Sequence, residues 1–534
     1  MKGKDFRMLP VSAVIFDPLN RRVRADYGDG SGTAFAYDTV GRLKQAEDST
    51  SGRIEFSYDN LDRLTQELTP QGTVQYQYDS ITRLTNMTVN GQTPVSYQYD
   101  SASRLTQVAQ GTQVVGLEYD AAGRRTSLAH PNGVNTTYTY DTAARLTNIL
   151  HQGPSSIIED LTYTYDAAGN RVSLTRPSGA STVLPGPVQA AYDTANEQIQ
   201  FNNPTPNLTY DANGNLISHT DASGTTTYTW DARNRLTGIN GPGVSTSFVY
   251  DALGRRVIKT NNGVITRYHY DQDDIVGETT NGTVGITYFR NFRIDEPFIR
   301  NSSESSYYHT GSLGSTLALT NQAGSVETTY HYDSFGTTNI LGTNPNVFQF
   351  SGRENDEVGL YYYRARYYSP YLHRFLSEDP IEFAGGSVNL YTYVRNNPTN
   401  LTDPTGLLFS GRINAGELFG EVAAQDWADL YVENGNPWYA NPYFIPGILA
   451  SLWTRKTSDL TLTTLTIAYS AGAYVGRSFW QYYPAGNPSY TSPWLTRGWG
   501  WRPPYTPGQQ AVQKLALPHY NPGTAIRAVK PPPW

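Results

Sequence analysis

The 534-residue chain carries 40 basic and 47 acidic side chains for a net charge of −7, has no cysteine, and holds 41 tyrosines and 48 glycines against only 16% charged residues. Those figures exclude disulfides, thiolate metal sites and cysteine nucleophiles. They also argue against a helical, Glu/Lys-rich protein and for a largely all-β one with more than one structural unit.

The N-terminal apolar stretch, residues 9–16, is interrupted by Pro10 and Ser12 and runs directly into Asp17-Pro18. It reads as a strand rather than a signal peptide, and no later run reaches the roughly 20 apolar residues of a membrane span. From Phe16-Asp17 onward an aromatic-Asp pair recurs, at Tyr37-Asp38, Tyr58-Asp59, Tyr78-Asp79 and so on to Tyr270-Asp271, mostly 20 or 21 residues apart. An arginine and an apolar residue follow five and six positions past most of the tyrosines, as in Arg42-Leu43, Arg63-Leu64, Arg83-Leu84, Arg104-Leu105 and Arg145-Leu146.

Each period has a physical reading. Alternation in Val74-Gln75-Tyr76-Gln77-Tyr78 places Val74, Tyr76 and Tyr78 on one face of a strand. The Asp then opens a turn, often with glycine three positions on, as at Gly41 and Gly123. Arg-Leu-Thr starts the returning strand. One repeat is therefore a β-hairpin, marginal alone and stabilised by pairing with its neighbours.

Tyr-Asp-x-x-Gly-Arg-Leu-Thr units at this spacing resemble the YD repeats of Rhs proteins, of the C component of bacterial Tc toxin complexes, and of teneurins. The resemblance implies a spiralling strip of YD-repeat β-hairpins forming a shell, and the chain reads as starting inside such an array. Fourteen repeats, counting Tyr332-Asp333, make about 28 strands. Closed as a single ring they would span about 43 Å between strand centres, too little to close over a folded tail.

Beyond residue 300 the resemblance extends to the Rhs repeat-associated core: residues 350–368 (FSGRENDEVGLYYYRARYY), 374–381 (RFLSEDPI), Gly385-Gly386, 389–394 (NLYTYV), Asn396-Asn397-Pro398 and Asp403-Pro404-Thr405-Gly406-Leu407. Ser369 and His373 depart from the family's usual Asp and Gly. By spacing alone Asp379-Pro380 and Asp403-Pro404 are turn openers, with Arg366 a structural partner. The resemblance instead implies an aspartic-type self-cleaving element. Asp379 and Asp403 would be its carboxyl pair, Arg366 the adjacent cation, and Leu407-Leu408 the bond cut. Two carboxyls sharing a site divide their pKa values, which supplies one ionised and one protonated group.

The remaining 127 residues differ in composition. Residues 1–407 carry 31 basic and 41 acidic side chains, residues 408–534 nine and six, and eight of the nine tryptophans follow residue 408. An amphipathic helix is expected over 415–432 and a second apolar piece over 460–479. Basic residues mixed with Trp480, Trp494, Trp499 and Trp501 suit either a solvated proline-rich end or nucleic-acid contact.

The organisation expected is a repeat shell over 1–336, the core over 337–407, and a variable effector or toxin segment over 408–534 that is irregular or partly helical. The resemblance implies secretion or a cell-surface location and no cofactor or metal. It leaves open as partners a Tc-B-like or N-terminal shell portion, an immunity protein for the tail, and carbohydrate. A non-enzymatic surface protein for carbohydrate binding or cell contact is the alternative function.

Overall fold

The computed structural model describes residues 11–177, 187–344, 346–356 and 358–409. The expectations for the tail helix, the second apolar piece and the basic end lie outside the described residues. Among the described residues no helix is long and apolar enough to cross a membrane.

Two antiparallel meanders make up the fold. The first has 16 strands in chain order, from Val11–Phe16 to Arg171–Thr175, and the second has 14, from Leu208–Tyr210 to Thr338–Gly342. A hairpin of Ala190–Tyr192 and Gln198–Phe201 stands between them. In Gly72–Tyr78, Val74 and Tyr76 are buried, Gln75 and Gln77 exposed, and Tyr78 half-buried, the alternation that the sequence predicts.

The repeat motif is a relay of contacts between successive hairpins. In the unit opened by Asp59, one carboxylate oxygen accepts the N–H groups of Leu61 and Arg63, and the other accepts Arg63 Nε at 2.7 Å. The residue three past Asp, here Asp62, takes φ 63°, the left-handed conformation that glycine supplies at Gly41 and Gly123. The Arg63 guanidinium then reaches forward, donating to the Asp79 carbonyl at 2.9 Å and lying 4.8 Å over the Tyr78 ring. Tyr78 reaches back, its hydroxyl donating to the Leu64 carbonyl at 2.8 Å. Arginine is thus a clasp between repeats as well as the start of a strand. Each such stack contributes about 0.5–1 kcal/mol.

The second meander lies against the first, tip to tip and in the same chain direction. Arg233 pairs with Asp48 at 2.6 Å, Arg255 with Glu67 at 2.6 Å, Tyr76 with Asp271 at 2.7 Å, and His151 with the Thr310 carbonyl at 3.1 Å. Bonds between the two meanders join residues 141 to 203 positions apart, from Asp29 and Ala232 near the start of both to Arg171 and Ser312 farther along. The strip therefore winds as the spiral expected, in two laps. One apolar cluster runs across the seam, with Val74, Tyr76, Val108 and Leu117 from one lap and Val276, Phe289, Ile299 and Tyr307 from the other.

The segment after the second lap folds back on the strip. Four short strands, Glu354–Asn355, Tyr361–Tyr363, Arg366–Ser369 and Arg374–Phe375, form their own sheet. Leu360, Tyr362, Tyr367, Leu372 and Leu376 cover Leu216, Leu236, Ile239, Phe248 and Tyr250 of the second lap. On the other side Tyr361, Tyr363, Tyr368, Phe375 and Tyr393 pack together. Both departures noted in the sequence sit in the turn here. Ser369 Oγ accepts the Leu372 N–H at 3.1 Å. His373 adopts φ 59°, where glycine would be relaxed, and stacks on Phe335 with ring centroids 4.1 Å apart.

Candidate functional site

Arg366 starts a buried strand, Arg366–Ser369, and its own side chain is buried. Phe375 on the adjacent strand supports the guanidinium at 3.7 Å. Nη1 donates to the Leu390 carbonyl at 3.0 Å and Nε to the Gly406 carbonyl. Nη2 is left facing two carboxylates, Asp379 Oδ2 at 3.0 Å and Asp403 Oδ2 at 3.3 Å. The three residues singled out in the sequence therefore meet, from segments 37 positions apart at the widest.

Each carboxyl is fixed by the turn it opens. Asp379 Oδ1 accepts the Ile381 N–H at 3.0 Å, and Asp403 Oδ1 accepts the Leu407 N–H at 3.0 Å. Asp-Pro does open turns here, and those turns aim the remaining oxygens at one cation. Burial pushes Asp379 up to about 7, with Arg366 opposing and the neighbouring Asp403 charge adding to the rise. Burial also raises Asp403, against Arg366 and the backbone N–H groups of Leu407, Gly406 and Leu408, which favour its charged form. Both carboxyls are thus raised and, sharing one cation, titrate as a pair.

The Leu407-Leu408 peptide borders the pair. Its N–H side faces Asp403 through the Leu408 backbone bond. Its carbonyl side faces Gly385, where a Cβ would overlap Asp379 Oδ2 and stand 3.0 Å from the Leu407 carbonyl oxygen. Only glycine lets the chain approach so closely. A cavity of about 10 Å³, room for about one water, is lined by Arg366, Asp379, Gly385, Asp403, Leu407 and Phe409 among others.

Several contributors carried no role in the sequence reading. Arg364 donates to the Pro404 carbonyl at 2.5 Å and pairs with Asp295 and Asp274 of the second lap, tying the Asp403 turn to the strip. Gly385 and Gly386 were visible as a pair, but nothing local says what approaches them. Among the described residues no group of three or more His, Asp or Glu is placed to hold a metal ion.

A family model described as Teneurin YD-shell matches residues 16–135 and 132–399. Toxin subunit YenC2 of Yersinia entomophaga is 43% identical over 88 residues, covering 16% of this chain and 7% of that protein. The tRNA nuclease WapA of Bacillus subtilis (strain 168) is 29% identical over 300 residues, 51% of this chain and 12% of that protein. The crystal structure of TcdB2-TccC3 superposes with a TM-score of 0.55 at 20% identity, covering 74% of this chain and 28% of that one. That last likeness concerns the fold. The chain spans about a tenth of the length of these curated relatives.

Proposed function

Because the chain belongs to the teneurin YD-shell family, we propose that it is the shell and self-cleaving core of a secreted toxin- or effector-carrying protein, which severs Leu407 from Leu408 and frees the segment that follows. The observation that carries this reading is the pair of buried carboxyls on one guanidinium, beside both ends of a single peptide bond.

In this reading the pair divides the two protonation states that the reaction needs. Asp379, protonated, polarises the Leu407 carbonyl by donating a hydrogen bond. Asp403, ionised, takes a proton from a water as the water oxygen bonds to the carbonyl carbon. The C–N bond then breaks and Asp403 passes that proton to the Leu408 nitrogen. The products are the Leu407 carboxyl group and a free Leu408 amine. Arg366 holds both carboxyl groups in place and favours the charged form of Asp403.

The test is expression of the full chain. The expected products are fragments of about 45 and 14 kDa, and Asp403→Asn should leave one band. A wild-type chain that stays full length after folding overturns the protease reading. Growth arrest on cytoplasmic expression of residues 408–534 would mark that segment as an effector; no arrest favours the non-enzymatic surface reading.

A partner follows from the seam. Leu253, two residues past Asp251, packs against Phe35, Ala46 and Ile54 across the laps. Its counterparts on the first lap, Leu19, Val40, Leu61 and Ile81, are 60–72% exposed. That rim suits a further YD-type shell segment, a Tc-B-like or N-terminal shell portion. Leu61→Asp should abolish co-purification with it and leave the fold intact.

A further inference from the structure

On the N-terminal side the bond between Leu407 and Leu408 is held by Arg366 and Asp403, through the Gly406 carbonyl and the Leu407 N–H. A hydrolytic site must hold the other side too, or the bond swings away from the carboxyl pair. The anchor on that side is Phe409, two residues past the cut. Its half-buried ring lies 4.5 Å beneath the Arg395 guanidinium and packs against the cluster containing Tyr393 and Val394.

The seat is built with some strain. Arg395 Nε and Nη2 both donate to the Gly386 carbonyl, at 2.8 and 2.5 Å. Gly386 takes φ 80°, and a Cβ there would stand 3.0 Å from both Arg395 Nη2 and Phe409 Cε1. Three consecutive non-glycine residues, Val394, Arg395 and Asn396, have φ of 42°, 54° and 57°. Such backbone persists only where its surroundings enforce it, and it concentrates at functional sites. Here it turns Arg395 over the exit path of the chain. The two adjacent glycines divide the work: Gly385 admits the Leu407 carbonyl to Asp379, and Gly386 admits the Phe409 ring to Arg395. Arg395 and Phe409 also line the cavity shared by the two carboxyls.

We infer that Arg395, Gly386 and Phe409 form a clamp that positions the Leu407-Leu408 bond for cleavage and makes an aromatic residue two places after the cut a specificity requirement of the site. This rests on the self-cleavage reading above. Arg395 and Phe409 are positioning residues: neither donates nor accepts a proton in the reaction.

The experiment follows fragment appearance by pulse–chase during cell-free synthesis of the full chain. Phe409→Ala and Arg395→Ala should each slow cleavage by about tenfold or more, and the double variant should be no slower than the slower single. Phe409→Tyr, which keeps the ring, should cleave at close to the wild-type rate. The pH profile of the slowed variants should match that of wild type, because the carboxyl pair is untouched. Wild-type rates in Phe409→Ala, or equal slowing by Ala and Tyr, would overturn the clamp. A second measurement does not depend on cleavage. In the Asp403→Asn chain, Arg395→Ala should accelerate amide hydrogen exchange at Leu408 and Phe409, and unchanged exchange there overturns the clamp. If wild type fails to cleave but exchange responds, the self-cleavage reading falls and the seat for Phe409 stands.

Discussion

At the scale of the residue, the repeat motif is a set of hydrogen bonds that fix charge as well as shape. The Arg63 side-chain bond holds Asp59 below the ordinary value of 3.8, and the Arg83 N–H does the same at Asp79. A carboxyl depressed on folding stabilises the folded state above its unfolded pKa, and that contribution is lost as pH falls through the folded value. The left-handed turn position is where the motif tolerates poor choices. Thr82, β-branched, sits at φ 71°. Thr82→Asn should stabilise by about 1 kcal/mol, read as a rise in thermal midpoint; an unchanged midpoint would mean the turn relaxes around threonine. The core carboxyls behave oppositely to those of the turns. With Asp379 raised to about 7, cleavage should decline above that pH as Asp379 loses its proton. It should decline again at acid pH as Asp403 gains one. A rate flat from pH 6 to 9 would remove Asp379 from the role of acid.

At the scale of the element, the hairpin was legible and its partner was not. Periodicity in Val74–Tyr78 and the Asp-x-x-Gly turn are local features, and the strands formed where they predict. What Arg255 does beyond closing its own turn on Asp251 at 2.8 Å could not be read locally, because its second partner, Glu67 at 2.6 Å, is 188 residues away. Both side chains are buried. Glu67→Ala leaves a buried guanidinium short of one partner and should cost about 3 kcal/mol, measured by denaturant unfolding. A loss under 1 kcal/mol would mean that the seam depends on its apolar cluster alone. His373 shows the same limit of local reading. The sequence marks it as an odd residue at a glycine position, and only the fold reveals that Phe335 stacks on it.

At the scale of the whole described body, the seam between laps carries a pH dependence. His130 and His151 from the first lap and His309 from the second lie ring against ring, with centroids 5.3 Å apart for His130–His309 and 5.4 Å for His151–His309. Burial pushes His130 down to about 3 and His151 to about 4, and holds His309 well below its ordinary value of 6.5. Groups whose pKa is depressed on folding stay neutral while the unfolded chain takes up protons. The stability they permit is therefore full above pH 6.5 and lost progressively below it. Thermal stability should fall between pH 6.5 and 4, and His130→Phe should blunt that fall; an identical slope in the variant would place the acid sensitivity elsewhere.

The sequence by itself determined the strip: the class of fold, the hairpin unit, the turn at each Asp, and the identity of Arg366, Asp379 and Asp403 as residues to watch. The strip, hairpin and turns rest on short-range periodicity, which one chain displays without knowing its fold, and the three residues rest on resemblance to the Rhs core, since spacing alone reads them as turn openers. Only the tertiary structure decided that the strip winds into two laps, that one guanidinium holds both carboxyls, and that Gly385, Gly386, Arg395 and Phe409 surround the bond they flank. Those arrangements depend on residues tens to nearly two hundred positions apart coming within about 3 Å to 5 Å, and no local pattern encodes which distant neighbour will arrive.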